Sequence, residues 1–332
     1  MIGQPTVAVI GAGGWGTALC RVLAGKCRSL TLWSYEPEAA AAMRETGRND
    51  KYLPGIQLPA EVAVTADIAA ASASEVVVMV TPSKGTRQTL EALGASGIRD
   101  DAVIVTCTKG IEFATGYRMS QIVDEVLPGR RVVALSGPSH AEEGAREVPT
   151  AVVVGGADGE ATRAMQALFS TAAFRVYWTD DIVGMELGGA LKNIFALAAG
   201  IGDGLGLGDN SKAALVTRSL AEMMRLGSAM GGRPATFNGL SGIGDLMVTC
   251  FSRHSRNRAF GERLGGGAAI DDIEKSTSTV AEGVPTARSA RECARRLEVD
   301  CPVIDQVNRI LDRESSPADA IRELMSRELK AE

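Results

Sequence analysis

The N-terminal part of the chain alternates short apolar runs with segments of helical pattern. The apolar runs are rich in β-branched residues, which is typical of strands buried on both faces of a parallel sheet. They predict strands at Thr6–Ile10, Leu30–Trp33, Glu75–Thr81, Ala102–Cys107, Arg131–Leu135, Thr150–Val154 and Phe174–Tyr177. Helical segments such as Gly85–Leu93 and Ser120–Val126 separate most of these strands. This alternation predicts an α/β fold with a doubly wound sheet.

From about Val183 onward the pattern is helical, without a convincing strand. Leu187–Gly202 is an Ala-rich apolar run that predicts a buried helix, and Lys192 is its only charged residue. Amphipathic helices are predicted at Lys212–Met230, Glu282–Leu297, Pro302–Leu311 and Pro317–Lys330, with connectors at Gly202–Gly208 and Pro234–Gly239. We therefore expect an α/β domain at residues 1–182 and an all-α domain at residues 183–332. Lys192 would lie near their junction, a common location for small-molecule sites.

A glycine fingerprint follows the first predicted strand. Gly11, Gly13 and Gly16 fit the pattern Gly-x-Gly-x-x-Gly and precede a predicted helix at Thr17–Ala24. In this context Gly11 permits the tight turn, Gly13 lets the backbone approach a pyrophosphate, and Gly16 lets the helix pack on the strand. The first domain is therefore predicted to be a Rossmann-type dinucleotide-binding domain. Glu36, about 20 residues beyond Gly16, favours NAD, and NADP stays open.

Composition and charge exclude several other functions. The net charge is −5 and no basic stripe is present, which argues against a nucleic-acid partner. The six cysteines form no Cys-x-x-Cys motif and only two histidines are present, so no metal site is expected. The long apolar run carries a lysine and several glycines, so we expect no transmembrane segment. The chain starts directly into a strand pattern, which favours a cytoplasmic protein without a signal peptide.

Four polar groups are candidates for chemistry. Lys109 follows a predicted strand, Lys192 lies on the apolar helix, Asp245 follows a glycine pair, and Arg256 belongs to the basic cluster His254–Arg258. Taken singly, each has an ordinary explanation as a solvated lysine, a helix cap or a surface arginine.

Together the motifs resemble one family, the bacterial NAD(P)-dependent glycerol-3-phosphate dehydrogenases. The matching stretches follow in order along the chain: Gly11–Leu19, Tyr52–Gly55, Thr108–Glu112, Ser136–Ala141, Glu186–Asn193, Gly242–Leu246, His254–Arg258 and Val280–Gly283. The resemblance implies an oxidoreductase that reversibly reduces dihydroxyacetone phosphate to sn-glycerol 3-phosphate and supplies phospholipid synthesis. It implies NAD or NADP as the cofactor.

The resemblance also assigns roles to residues. Lys192 would be the catalytic proton donor and acceptor. The substrate would be bound by Lys109, Gly137, Ser139, Lys192, Asn193, Asp245, Ser255, Arg256 and Asn257. The cofactor, held by the glycine fingerprint, would be contacted by Gly11, Gly13, Gly14, Trp15, Gly16, Tyr35, Lys109, Ala141, Arg256, Val280 and Glu282. The planar guanidinium of Arg256 is suited to bidentate binding of the substrate phosphate.

Two alternatives remain at this point. A different two-domain reductase, of the ketopantoate or 3-hydroxyacid type, would also combine a dinucleotide domain with helices and a lysine, but has no obvious use for a Ser-Arg-Asn cluster. A non-catalytic NAD-sensing protein would not need Lys192, Asp245 and Arg256 together. A homodimer is compatible with the apolar surface of the second domain.

Overall fold

The computed structural model of the chain describes residues 4–276 and 281–329. They form two compact units. The first unit contains the chain up to Lys109 together with Tyr117–Glu186, and the second contains Gly110–Gly116 together with the chain from Leu187 onward.

The first unit is built around one sheet of eight strands in the order β3-β2-β1-β4-β5-β6-β7-β8. Its strands are β1 (Thr6–Ile10), β2 (Ser29–Trp33), β3 (Val62–Thr65), β4 (Val76–Met79), β5 (Val103–Thr106), β6 (Arg131–Ser136), β7 (Thr150–Gly155) and β8 (Phe174–Thr179). Every neighbouring pair is parallel except β6 and β7. The order of the first six strands is that of a Rossmann fold, which confirms the predicted fold class of this part. β3 is a short strand at the sheet edge with no fully buried residue, and the hydrophobic pattern did not predict it.

Helices cover both faces of this sheet. They are α1 (Gly14–Leu23), α2 (Pro37–Thr46), α3 (Thr86–Ala95), α4 (Met119–Val126), α5 (Ala141–Gly144) and α6 (Gly159–Phe169), with short 3-10 turns at Ile68–Ala71 and Ser83–Gly85. Alternate residues of each strand enter opposite cores. Val9 and its neighbours pack with Leu19 of α1 and Phe169 of α6, whereas Ile10 packs in a second core with Leu90 of α3 and Ile122 of α4.

The second unit is helical, and the structure describes no strand in it. Its elements are α7 (Ile182–Gly204), which begins in the first unit, α8 (Asp209–Ala229), α9 (Pro234–Phe237), α10 (Asp245–Phe251), α11 (Arg256–Gly265), α12 (Ile270–Ser276), α13 (Gly283–Arg296), α14 (Pro302–Leu311) and α15 (Pro317–Met325). Two details of the prediction were wrong. Pro234–Gly239 is not only a connector, since Pro234 begins a short helix, and the last helix ends at Met325 instead of continuing to Lys330, a residue outside the described ranges.

α7 is the central helix of the predicted all-α part. Residues 184–197 are buried without interruption. Within the described ranges it is also the one helix long and apolar enough to cross a membrane, with a mean hydropathy of 1.4 over an 18-residue stretch. Because 83% of that stretch is buried inside the protein, the helix packs as a core helix.

Glycines let α7 and α11 pack backbone against backbone. A Cβ on Gly200 would lie 2.0 Å from the carbonyl oxygen of Arg258, and a Cβ on Gly261 would lie 2.1 Å from that of Leu197. Contacts this short exclude any side chain at either glycine. The close approach places the first turn of α11, which carries Arg256 and Arg258, directly against α7.

Candidate functional site

The glycine fingerprint has two glycines in the loop between β1 and α1, Gly11 and Gly13, and a third, Gly16, in the first turn of α1, and the three have different structural demands. Gly11 has a φ of +120°, and a Cβ there would lie 2.9 Å from the carbonyl carbon of Val80. A Cβ on Gly16 would lie 2.0 Å from the carbonyl oxygen of Gly11. At Gly13, by contrast, no described atom lies within 4 Å of the position of a Cβ. The fold therefore requires Gly11 and Gly16, whereas Gly13 has open space beside its backbone.

The N-terminus of α1 fits an anionic group. Its first turn holds no acidic residue, and its N-cap residue, Gly13, provides no side chain to the N–H groups of that turn. Thr17 donates its backbone N–H to the carbonyl of Gly13 at 3.0 Å, which leaves the earlier N–H groups of the helix without an intrahelical acceptor. These N–H groups and the positive end of the helix dipole form a cradle of the kind that binds a pyrophosphate.

The two residues between Gly13 and Gly16 are also held by packing. A Cβ on Gly14 would lie 2.9 Å from the carbonyl oxygen of Tyr52 and 3.5 Å from Cβ of Ala141. The ring of Trp15 lies 6.2 Å from that of Phe174. Gly14 and Ala141, both predicted to contact the cofactor, are thus brought together.

The end of β2 carries an exposed aromatic residue and a paired carboxylate. Tyr35 is 78% exposed and meets Trp33 edge to face. The carboxylate of Glu36 accepts hydrogen bonds from Lys51 at 2.7 Å and from the hydroxyl of Tyr52 at 3.1 Å. The hydrogen bond from Lys51, and secondarily that from Tyr52, holds the pKa of Glu36 below its usual value.

Lys109 lies beside the turn that follows β6. Its ammonium donates to the carbonyl oxygen of Gly137 at 3.0 Å, and the hydroxyl of Ser139 donates to the same oxygen at 3.0 Å. Gly137 has a φ of +135°, and a Cβ there would lie 3.0 Å from Cα of Val152. The structure thus brings three predicted substrate residues of the first unit, Lys109, Gly137 and Ser139, into one cluster.

The second unit holds Lys192 in a buried polar cluster. Its ammonium lies 2.5 Å from Oδ1 of Asp245 and donates to the hydroxyl of Thr249 at 2.7 Å. The Thr249 hydroxyl in turn donates to the backbone carbonyl of Asp245 at 2.6 Å. Lys192 is 7% exposed, Asp245 1% and Thr249 4%. A carboxylate at this distance favours the charged ammonium, whereas burial favours the neutral amine.

Thr249 is a member of this cluster that was not predicted from the sequence. Asp245 is the first residue of α10, after a π-helical turn at Leu240–Gly244, and Thr249 follows it one helical turn later. Residues four apart on a helix share a face, so the spacing itself was the available signal.

Asn193 and Asn257 link three helices. The amide nitrogen of Asn257 on α11 donates to Oδ1 of Asn193 on α7 at 2.9 Å, and Oδ1 of Asn257 accepts the N–H of Gly283 on α13 at 2.9 Å. Both asparagines are buried. Their amides therefore serve the packing of α7, α11 and α13, a contribution that the sequence did not indicate.

The two arginines of the basic cluster differ sharply. The guanidinium of Arg258 lies 2.7 Å from Oδ2 of Asp203 and 3.3 Å from Oε2 of Glu262. Asp203 also pairs with Lys212 at 2.8 Å. Arg256, the first residue of α11, is exposed and forms no ion pair with any residue the structure describes. Of these two arginines, only Arg256 has a charge that no described carboxylate neutralises.

Ser255 and Glu282, also predicted site residues, each make a local contact in the helical part. Ser255 is buried and caps α11 by accepting the backbone N–H of Arg258 at 3.2 Å. Glu282 precedes α13 and accepts the hydroxyl of Thr286 with its carbonyl at 2.6 Å. Val280 lies outside the described residues. Across residues 4–276 and 281–329, no group of His, Cys, Asp and Glu side chains could hold a metal ion.

Comparisons with known proteins cover both parts of the chain. A family model described as the NAD-dependent glycerol-3-phosphate dehydrogenase N-terminus matches residues 6–162, and the corresponding C-terminus model matches residues 181–322. A glycerol-3-phosphate dehydrogenase (NAD(P)+) of Geobacter metallireducens is 49% identical over 330 residues, which are 98% of this chain and 98% of the relative. Another, from Prosthecochloris aestuarii, is 45% identical over 98% of this chain and 99% of its own.

The fold is similar to that of a solved member. A crystal structure of glycerol-3-phosphate dehydrogenase from Coxiella burnetii superposes with a TM-score of 0.94 at 36% identity, covering 98% of this chain and 99% of that one.

Proposed function

The chain belongs to the NAD-dependent glycerol-3-phosphate dehydrogenase family, and we propose that it catalyses the reversible reduction of dihydroxyacetone phosphate to sn-glycerol 3-phosphate with NADH or NADPH. The observation that carries this proposal is the buried cluster of Lys192, Asp245 and Thr249 in a chain that also has a dinucleotide cradle. An NAD-sensing protein would have no need for a buried ammonium held by two partners.

Lys192 is assigned the proton transfer. The bound nicotinamide supplies the hydride that reduces the ketone carbon. Negative charge then develops on the carbonyl oxygen, and Nζ of Lys192 donates a proton to it. In the reverse direction the neutral amine of Lys192 accepts the hydroxyl proton. Asp245 and Thr249 orient Nζ, since each holds it by a hydrogen bond shorter than 2.8 Å.

Arg256 is assigned the phosphate. A guanidinium presents paired donors that match two phosphate oxygens, and the exposed side chain of Arg256 is not neutralised by a described carboxylate. Arg258 is a poorer candidate because Asp203 and Glu262 already hold it. The other substrate residues in this proposal are Lys109, Gly137, Ser139, Asn193, Asp245, Ser255 and Asn257.

Most of the cofactor contacts are assigned to the first unit. The N–H groups at the start of α1 bind the pyrophosphate, and the open space at Gly13 lets the backbone approach it. Arg256 and Glu282 of the helical part complete the proposed cofactor set, with Gly11, Gly14, Trp15, Gly16, Tyr35, Lys109 and Ala141. The proposed domains are residues 1–182, which supply most of the cofactor contacts, and residues 183–332, which supply Lys192 and most of the substrate contacts.

The wider setting follows from the reaction. Glycerol 3-phosphate is the backbone of glycerophospholipids, so the enzyme would supply their synthesis. We place it in the cytoplasm, with a homodimer as the assembly to be tested.

Assays with purified protein test the proposal. NADH or NADPH should be consumed in the presence of dihydroxyacetone phosphate, and much more slowly with unphosphorylated dihydroxyacetone or with ketopantoate. Turnover of ketopantoate at the higher rate would instead favour the alternative reductase. Cofactor binding without turnover of any ketone would favour a sensing protein.

A further inference from the structure

One ion pair beside the glycine loop has no part in the proposed reaction. Nζ of Lys51 lies 2.7 Å from each carboxylate oxygen of Glu36, and the hydroxyl of Tyr52 donates to the same carboxylate. The Lys51 and Glu36 side chains are 49% and 38% exposed, so a ligand could reach both.

The segments that carry Glu36 and Lys51 both contact the glycine loop. Glu36 follows β2, whose last residue, Trp33, accepts the N–H of Gly11 at 3.1 Å. The backbone carbonyl of Tyr52 packs directly against Gly14. The segment that carries Lys51 is therefore held at one end of the glycine loop.

A buried amide fixes this segment further. Asn49, which is 2% exposed, donates from Nδ2 to the carbonyl of Ala12 and to the hydroxyl of Thr17, both at 2.7 Å. Because Ala12 lies within the fingerprint and Thr17 directly follows it, the position of Lys51 is tied to that of the loop.

The charge of the pair bears on the choice between the two cofactors. In a dinucleotide domain an acidic residue after the second strand binds the adenosine ribose hydroxyls, and its charge opposes a 2′-phosphate. Here the charge of Glu36 is balanced by Lys51. Both groups are ionised at neutral pH, since their mutual hydrogen bond lowers the pKa of Glu36 and raises that of Lys51.

We propose that Lys51 is a specificity-determining residue that permits the use of both cofactors by exchanging its partner. With NAD(H), Lys51 stays paired with Glu36, which is left to bind the ribose hydroxyls. With NADP(H), the ammonium turns to the 2′-phosphate and screens it from Glu36. This inference rests on the proposed function, because it requires a bound dinucleotide.

Equilibrium binding tests the exchange without catalysis. Dissociation constants for NAD+ and NADP+ would be measured by tryptophan fluorescence and calorimetry in the wild type, Lys51→Met and Glu36→Gln. Lys51→Met should weaken NADP+ binding about tenfold and leave NAD+ binding nearly unchanged, because it removes a charge-assisted contact. Glu36→Gln should strengthen NADP+ binding and weaken NAD+ binding.

Fragments of the two cofactors and a matched control variant show whether Lys51 contacts the 2′-phosphate. Adenosine 2′,5′-bisphosphate should show the Lys51→Met loss, and AMP should not. The control is Arg28→Met, since Arg28 forms a similar exposed ion pair with Glu75 at 3.1 Å immediately before the other end of β2. Arg28→Met should change neither affinity.

The binding results distinguish a failure of the proposed role of Lys51 from a failure of the proposed dehydrogenase function. Equal effects of Lys51→Met on NAD+ and NADP+, or a wild type that binds NAD+ alone, would overturn the role of Lys51 and leave the dehydrogenase proposal intact. A wild type that binds neither dinucleotide would overturn both.

Discussion

Nζ of Lys192 and Oδ1 of Asp245 lie 2.5 Å apart although the two residues are separated by 53 positions in the chain. Both side chains are buried, so neither charge is compensated by bulk solvent. Removing one partner of such a pair leaves an uncompensated charge, which is commonly more costly than the loss of the contact itself. Variants of either residue therefore need a stability measurement beside the kinetic one.

Lys192→Ala should lower kcat by roughly 10²–10⁴-fold, the usual contribution of a positioned acid or base. Cofactor affinity should be retained, since the glycine loop is unchanged. Lys192→Met should be measured as well, because methionine fills most of the buried volume that alanine would leave empty and removes only the ammonium. Near-normal turnover in either folded variant would refute proton transfer by Lys192.

Asp245→Asn tests the positioning of the ammonium. The amide is close in size to the carboxylate but lacks its charge, so Lys192 keeps Thr249 and loses its ionic partner. We expect a lower kcat together with a shifted pH profile of kcat, because the balance between ammonium and amine changes. A variant with reduced stability but an unaltered pH profile would mean that Asp245 only supports the fold.

The sequence predicted the elements whose signals are local. The strands buried on both faces are continuous apolar runs, and Gly11, Gly13 and Gly16 stand between a strand and a helix, so both could be recognised without knowledge of tertiary contacts. The edge strand β3 was missed because its residues are only partly buried, which leaves little hydrophobic pattern.

Other features depend on contacts between distant segments. The ion pair of Arg258 with Asp203, which lies on another helix, could not be predicted from the sequence, whereas its contact with Glu262, four residues later on α11, is local. Likewise, Gly200 and Gly261 look like weak points of their helices in the sequence, yet each is required where α7 and α11 touch.

Arg256→Ala should reduce kcat/KM for dihydroxyacetone phosphate by a factor that corresponds to a loss of about 3 kcal/mol or more of transition-state stabilisation. Arg256→Lys should recover part of this loss. Binding energy from the phosphate helps to position the ketone, so kcat should fall as KM rises. Measured with unphosphorylated dihydroxyacetone, the same variant should lose far less. Equal losses on the two substrates would place Arg256 on the cofactor or in the fold instead.

Arg258→Ala is the matched control for Arg256→Ala. It removes a guanidinium two positions away but breaks contacts with Asp203 and Glu262, so its main effect should be on the unfolding midpoint. Its losses on the phosphorylated and unphosphorylated substrates should be similar. A phosphate-selective loss in Arg258→Ala would move the phosphate site to that residue.

Gly13→Val should abolish dinucleotide binding while leaving the unfolding temperature nearly unchanged. The backbone of Gly13 has φ −73° and ψ −179°, an extended conformation open to any residue, and the added Cβ meets no described atom within 4 Å. The side chain would instead occupy the space through which the pyrophosphate approaches. Fluorescence titration with NADH and a thermal melt measure the two effects. Unchanged NADH affinity would mean that the loop does not hold a dinucleotide.

Gly16→Ala is a comparison variant in which we expect the unfolding temperature itself to change. Its Cβ would lie 2.0 Å from the carbonyl oxygen of Gly11, so the loop must shift and the unfolding temperature should fall. If Gly16→Ala were as stable as the wild type, the close contact between loop and helix would be disproved.

A buried carboxylate outside the cluster of Lys192, Asp245 and Thr249 should make stability depend on pH. Glu222 on α8 is 1% exposed and accepts the backbone N–H groups of Val303 and Ile304, at 2.7 and 3.2 Å, at the start of α14. Burial raises the pKa of Glu222 to about 7, against the opposing effect of these two hydrogen bonds and of nearby Arg225. The folded protein therefore binds a proton at this site more tightly than the unfolded chain does.

The sign of the pH effect follows from that difference. The stabilisation associated with protonated Glu222 is fully present below the unfolded-state pKa of about 4.5 and is lost as the pH rises through about 7, a change of about 3 kcal/mol. Glu222→Gln keeps an acceptor for Val303 and cannot ionise, so its unfolding free energy should lack this decline. Urea denaturation of both proteins at several pH values between 4.5 and 8 gives the comparison, and the difference between them isolates Glu222 from other titrating groups. Parallel pH curves for the wild type and Glu222→Gln would show that Glu222 titrates at the same pH in the folded and unfolded states.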